Sequence, residues 1–345
     1  LAELKGKALM TLLYVTEPGS YLTKDGNRLN IKKDRDSVIK SIGIDKLEGV
    51  VMVGPANMST GVMTDLLERQ IPVTWLSSSG RFFGRLEPTT GYNIERQIQQ
   101  FNIQRDENFR LVLARSWVNA KILNCRTLLR RYNRNREILE VTDAIASLEI
   151  FAEKAASASS IESLMGFEGL SAKQYFQAVS KILPASFAFT GRSRRPPRDP
   201  FNSLISFGYT LVMYEIFTAL TTKNLHPYLG FMHQPKRGHP ALASDLMEEW
   251  RAVIVDSLAI GMLVGAELKN EDFEDPNEDG AVFLCRSGSK VFLEKFEKKL
   301  RALNQYLNFV DHPLTFRESL AFQVGALVRA IETEDPTVYR PIILR

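Results

Sequence analysis

The side chains able to do chemistry in this 345-residue chain are few. There are four histidines, His226, His233, His239 and His312. His233 closes the segment Pro227-Tyr-Leu-Gly-Phe-Met-His233, a short apolar approach suited to holding an imidazole rigidly. Downstream lies Asp245-Leu-Met-Glu248-Glu-Trp-Arg251. If Pro240 opens a helix there, Asp245 and Glu248 are i,i+3 neighbours with Cβ atoms about 5–6 Å apart. Packed carboxylates repel, so keeping them together calls for a cation, a proton or a basic partner. The third candidate is Glu168 in Leu164-Met-Gly-Phe-Glu168-Gly-Leu170. Gly166 and Gly169 beside it each cost a helix around 1 kcal/mol against alanine, a cost that makes sense where backbone or ligand approaches closely. Glu168, His233 and Glu248, with Asp245, offer oxygen ligands and one imidazole, a set suited to Mg²⁺ or Mn²⁺. Such an ion beside basic surfaces polarises phosphoryl oxygens and activates a hydroxyl, which is phosphodiester chemistry. The competing reading makes the acidic pair a solvated helix face and His233 a structural histidine. Zinc-enzyme spacings, a glycine-rich phosphate loop and a Gly-x-Ser-x-Gly elbow are absent from the sequence.

A polyanionic partner is suggested by the charge distribution rather than by the net charge of +4. Between Arg96 and Arg136 ten basic residues face only Asp106 and Glu107, while Glu271 to Asp279 holds six acids and no base. One concentrated basic block in a balanced protein points to one anionic surface. Arg115, Lys121, Arg126 and Arg130 fall on one long helical stretch, and Arg192, Arg194, Arg195 and Arg198 cluster in a loop. Arg251 sits one turn from Glu248, and Lys295, Lys298 and Arg301 form a further basic face. These read as phosphate contacts rather than base readers.

The elements that must position these residues change character along the chain. Up to residue 86 the pattern is of strands, at 11–17, 21–24, 28–32, 48–53, 71–76 and 81–86, with one short helix over 59–70 capped by Ser59 or Thr60. Residues 86–91 read as a linker. Helical periodicity then governs 94–104, 106–133, 139–156, 160–183, 202–222, 240–266 and 290–304. The expected fold class is α+β, a small N-terminal β-rich domain (10–90) followed by a larger all-α domain (91–345). Position 1 is Leu and Met10 directly precedes the first strand, so residues 1–9 read as a linker or the tail of an upstream module. Cys125 and Cys285 are too few for a thiolate zinc site or an iron–sulfur cluster and fit a reducing cytoplasm. The greasy stretch 253–266 contains Asp256 and is shorter than the roughly 20 residues that span a bilayer. A cytoplasmic location without a membrane segment is the expectation. Trp75, Trp117 and Trp250 sit in apolar patterns expected to be core.

Taken in order, these motifs resemble a known family. Leu-Met-Gly-Phe-Glu168-Gly, then Gly-Phe-Met-His233, then Gly238-His-Pro-Ala-Leu-Ala-Ser-Asp245-Leu-Met-Glu248-Glu-Trp-Arg251 closely resemble the CRISPR-associated integrase of spacer acquisition. Ala114-Arg115 through Lys121, Asn124 and Leu128-Leu-Arg130 resemble its first long helix. Arg194-Arg-Pro-Pro-Arg-Asp-Pro200, with Asn202 and Phe207-Gly-Tyr209, resembles its central loop and helix. The likeness runs from about Thr11 to about Leu327. It implies a metal-dependent endonuclease that dimerises through its β domains and flanks a small ferredoxin-like partner subunit. The implied substrate is a short DNA duplex with single-stranded 3′ ends, whose 3′-hydroxyls attack phosphodiesters at CRISPR repeat boundaries. The family's metal ligands fall on Glu168, His233 and Glu248. Asp245 matches a further acidic position with a supporting role, and Glu249 is the alternative to its neighbour Glu248. Relatives also occur fused behind a 3′-end-trimming iron–sulfur nuclease or a reverse transcriptase. Two rival functions remain at this point, a catalytically inactive DNA-binding scaffold of the same fold and a helical metal-dependent phosphohydrolase.

Overall fold

In the computed structural model, residues 11–33, 37–88, 93–187, 189–307 and 309–344 are described. The expected N-terminal linker and half of the expected interdomain linker (89–91) lie outside them. The chain divides into two units, residues 1–92 and 93–345.

β-branched and aliphatic alternation builds the first unit. Its strands are β1 (Thr11–Val15), β2 (Tyr21–Asp25), β3 (Arg28–Lys32), β4 (Val38–Gly43), β5 (Leu47–Val53), β6 (Asn57–Met58), β7 (Val73–Leu76) and β8 (Phe82–Leu86). They form two four-stranded sheets, ordered β1-β5-β7-β8 and β4-β3-β2-β6. β1 and β7 flank β5 in parallel, and β8 closes that sheet antiparallel to β7. β2 and β3 make the expected hairpin, turning where Gly26 takes a φ of +55° that a side chain would resist. The single helix, α1 (Thr60–Glu68), is capped by Ser59, whose hydroxyl accepts from the Val62 N–H. Leu13, Val15, Leu22, Ile31, Val50, Met52, Val62 and Leu66 share one apolar core, with Trp75 partly buried against it. Two strands escape the sequence pattern. β4 is an edge strand whose first four residues are exposed, so it lacks buried–exposed alternation, and β6 has only two residues.

The second unit is helical: α2 (Ile94–Ile103), α3 (Glu107–Asn133), α4 (Leu139–Ala156), α5 (Ile161–Ile182), α6 (Pro200–Thr222), α7 (Ala241–Met247), α8 (Ser257–Val264), α9 (Arg286–Leu300) and α10 (Phe316–Glu332). Side-chain caps start the longer helices: Asp106 for α3, a Ser160–Ser163 capping box for α5, and Asp199 followed by Pro200 for α6. α3 is the platform, packed against α4, α5 and the segment after α7. Trp117 and Trp250, 0% and 1% exposed, are core as expected.

Three helical expectations need correction. The stretch 240–266 is not one helix. α7 gives way to a 3₁₀ turn over Glu248–Trp250 and a π-helical stretch over Arg251–Asp256 before α8 begins. Glu248 and Asp256, at either end of this rewound stretch, are both buried and meet different partners, Lys121 and Arg251 for the first, Tyr175 and Tyr209 for the second. The last expected helix, 290–304, lies instead at Arg286–Leu300. α10 was not expected, because Gly325 and the β-branched Val324, Val328 and Ile331 blur its periodicity. The second unit also holds a two-residue strand pair, β9 (Leu303–Asn304) and β10 (Leu314–Thr315), so it is not wholly helical. Among the described residues, by length and composition alone, α6 is the one helix long and apolar enough to cross a membrane, and it is longer than the 253–266 stretch singled out from sequence. It buries the polar side chains of Asn202, Ser203 and Glu215 inside the unit.

Candidate metal and nucleic-acid site

α5 carries Glu168 toward α3, and there the Lys121 ammonium meets its Oε1. The same ammonium reaches Glu248 Oε2 at 2.7 Å. Two carboxylates brought from distant parts of the chain therefore converge on one cationic point. Arg251, one turn beyond Glu248, closes a fork on it, with Nε to Oε2 at 3.0 Å and Nη2 to Oε1 at 3.1 Å. Burial alone would raise the Glu248 carboxyl, but the charges of Arg251, Lys121 and His233 hold it well below the usual carboxylate range. Burial would likewise lower Lys121, and the two carboxylates override it and push the ammonium above its usual value.

His233 is fixed by Asp245. Their side chains meet at 2.6 Å between Nδ1 and Oδ1. Asp245 is fully buried and also accepts the backbone N–H groups of Phe231 (2.7 Å), Met232 (3.0 Å) and His233 (2.9 Å). A carboxylate only accepts, so it places the ring proton on Nδ1 and leaves the Nε2 lone pair available, the tautomer that a metal-binding histidine uses. Burial lowers the His233 pKa, yet the Asp245 hydrogen bond and charge and the Glu248 charge raise it on balance. Asp245 thus orients the imidazole, its two oxygens taken up by the His233 ring and three backbone N–H groups.

Glu249 faces the other way. Its carboxyl is buried against the C-terminal segment, where the Tyr339 hydroxyl (2.5 Å) and the Ile342 N–H (2.9 Å) donate to it. Burial pushes its pKa up to about 8. The alternative assignment of Glu249 as a ligand is thereby corrected.

The expected three-ligand cage is not closed as the side chains stand. Among the described residues no three His, Cys, Asp or Glu side chains group closely enough to hold a metal ion. The donor set nonetheless fits one: two carboxylates drawn to a single positive centre, and an imidazole whose free nitrogen is selected by Asp245.

The basic candidates divide by what already holds them. The reading of Lys121 as a phosphate contact is corrected, since it is 8% exposed and committed to Glu168 and Glu248. Arg251 is engaged by Glu248, Arg126 by Glu149 at 2.6 Å, and Lys295 by Glu267 at 2.6 Å. Arg115 donates from Nε to the Ala158 carbonyl at 2.7 Å. Arg192 holds Asn202 Oδ1 (2.8 Å) and Ser206 Oγ (3.2 Å). Arg130, Arg194, Arg195, Arg198 and Lys298 are exposed. A cleft of about 470 Å³, open to solvent, runs from Lys121 and Glu168 past Tyr175, Tyr209 and Asp256 to Arg192 and Arg194. At Gly166 and Gly169, among the described residues, no neighbouring atom lies within 4 Å of where a Cβ would stand, so the close approach expected there is not made by this chain.

Tyr175, Tyr209 and Asp256 line this cleft without having been singled out as site residues. Their sequence signals were Asp256, a charge inside an apolar run, and the Phe207-Gly-Tyr209 motif.

A family model described as CRISPR associated protein Cas1 matches residues 13–298. The CRISPR-associated exonuclease Cas4/endonuclease Cas1 fusion of Geobacter sulfurreducens is 37% identical over 337 residues, covering 94% of this chain and 59% of that protein. This chain therefore spans less than two thirds of that relative. The CRISPR-associated endonuclease Cas1 of Mycobacterium tuberculosis is 33% identical over 294 residues, 85% of this chain and 86% of the relative. A solved Cas6-RT-Cas1–Cas2 complex matches with a TM-score of 0.81 and 26% identity, covering 96% of this chain and 36% of that one. A casposase bound to integration product shares the fold, with a TM-score of 0.80 and 22% identity over 95% of this chain and 93% of that one. With β strands leading into a helical region and the family match running through both, the chain belongs to the CRISPR-associated Cas1 family.

Proposed function

We propose that this chain is the strand-joining subunit of CRISPR spacer acquisition, exchanging phosphodiesters with Mg²⁺ or Mn²⁺ as cofactor. The observation that carries this reading is the convergence of Glu168 and Glu248 on one buried ammonium, beside an imidazole tethered by Asp245. Glu168, Glu248 and His233 Nε2 would hold the ion in place of the Lys121 ammonium. Bound there, the ion supplies charge to the phosphoryl oxygens and acidity to an attacking hydroxyl. The residues around it orient and neutralise. Asp245 keeps the Nδ1 proton in place, Arg251 holds Glu248 ionised, and the exposed Arg194, lining the cleft, with Arg195 and Arg198 of the same loop, offers positive charge to phosphates. The nucleophile is a DNA 3′-hydroxyl, so no side-chain nucleophile is required, and exchange of one phosphodiester for another needs no nucleotide energy source.

The substrate is a DNA duplex with single-stranded 3′ ends, joined to repeat DNA. The partners are a second copy of this chain and a small ferredoxin-like subunit. A fused or associated end-trimming nuclease or reverse transcriptase is consistent with relatives that carry additional domains. One observation favours a second reading, that of a silent DNA-binding scaffold: Lys121 already neutralises both carboxylates. The experiment is joining of a labelled short duplex to repeat DNA, with the small subunit present. Under the leading reading Mn²⁺ is required, and Glu168→Gln, His233→Ala and Glu248→Gln each lose joining by at least 10²-fold while remaining dimeric. Metal-independent joining, or full joining by all three variants, would refute it.

A further inference from the structure

The carboxyl of Asp256 is a buried group with no role in the chemistry above, and it is 1% exposed. Two hydroxyls donate to it, Tyr175 to Oδ2 at 2.9 Å and Tyr209 to Oδ1 at 2.5 Å. Each partner leads back to the site. Tyr175 stands seven residues, two turns, beyond Glu168 on α5, so the two lie on one face of that helix. Tyr209, on α6, puts its ring under the Arg251 guanidinium, 4.5 Å from Cζ to the ring centre, and Arg251 forks Glu248. Asp256 itself ends the π-helical stretch that begins at Arg251.

The consequence is mechanical. α5 packs mainly on α3 and α4, and the segment bearing Glu248 packs mainly on α3. The two ligand-bearing elements thus share a platform, and the Tyr175–Asp256 hydrogen bond joins them directly. Lys121 also joins them, but through the point the ion would occupy. With the ammonium displaced, like charges remain on Glu168 and Glu248, and the Asp256 hydrogen bonds stay as a direct tie between their elements beside the shared α3 platform.

We propose that Asp256 is a positioning residue which, through the Tyr175 and Tyr209 hydroxyls, sets the placement of Glu168 relative to Glu248. The proposal rests on the reading of those carboxylates as the ligands of a divalent ion. The test is Mn²⁺ binding to the full-length chain without DNA, read from the paramagnetic resonance of free Mn²⁺, at a temperature where circular dichroism shows every variant folded. Tyr175→Phe deletes one hydroxyl and keeps the ring, and Asp256→Asn keeps the shape and removes the charge. Ile331→Val, in α10, serves as a destabilised control away from the network. The expected result is Mn²⁺ affinity lowered roughly 10–100-fold in Tyr175→Phe and Asp256→Asn, the range typical of outer-shell partners, and unchanged in Ile331→Val. Wild-type affinity in Tyr175→Phe, or an equal loss in Ile331→Val, overturns the proposal while leaving the ligand assignment standing. No Mn²⁺ binding by the wild type, or binding unaffected by Glu168→Gln, overturns the ligand assignment and this proposal with it.

Discussion

Lys121 is the side chain whose removal says most about the site. Its ammonium is buried between Glu168 and Glu248, so Lys121→Met leaves two carboxylates opposed with the Arg251 fork on one side only. Breaking a buried pair by removing one partner costs about 3–5 kcal/mol. Under the proposed reading a divalent ion would replace the missing charge. The expected outcome is a melting temperature well below wild type in chelator, recovered in large part by Mn²⁺. Differential scanning calorimetry with and without the ion checks it, and the Mn²⁺-induced rise should exceed that of the wild type. At the same scale, sequence spacing named the acidic residues and left the choice between Glu248 and Glu249 open. Adjacent residues in a helix point about 100° apart, and only the surroundings tell which side faces the site and which the core.

Element by element, regions with their own local signals were legible. The β2–β3 hairpin, α1 with its Ser59 cap, and the helices α2 to α6 follow from turn residues, an N-cap and periodicity, all of which act within a few positions. The segment after α7 was not legible, because its change of winding answers to Trp250 and Asp256 being buried by distant elements. Its back face supports a pH prediction. Burial raises Glu249 to about 8 from an ordinary value of 4.5, so the folded state keeps a proton that the unfolded chain releases. That contribution is full below about pH 4.5 and declines as pH rises through 8, by at most about 1.4 kcal/mol per pH unit. Glu249→Gln stays neutral; its one carbonyl oxygen can accept from the Ile342 N–H while its Nε2 donates to the Tyr339 oxygen. Urea unfolding between pH 5 and 8.5 should show the variant gaining on the wild type as pH rises; a constant gap would show Glu249 to be ionised in the fold.

For the whole molecule, charge placement matters more than the net value of +4. Much of the basic block read from sequence is internally paired or holds backbone, as Arg115, Lys121 and Arg126 do. In the loop that reaches the cleft, Arg194, which lines it, and its neighbours Arg195 and Arg198 are exposed and able to meet a polyanion. Replacing these three by alanine should weaken duplex binding almost independently of base sequence. The log–log salt slope should fall by about 2–3, near 0.9 for each phosphate no longer neutralised. A slope equal to that of the wild type would place the DNA elsewhere. Mn²⁺ affinity of the same triple variant should stay within a few-fold of wild type, because none of the three touches Glu168, His233 or Glu248.

What the linear chain decided alone was local: strand and helix segments, their caps, the order of the acidic and imidazole motifs, and the family those motifs belong to. The tertiary fold decided the pairings. Lys121 and Glu168 are 47 positions apart, Tyr175 and Asp256 81, and Glu249 and Tyr339 90. Periodicity carries no information across such separations. Whether a buried charge is a ligand, a tether or a counter-ion depends on which groups surround it once water has been excluded.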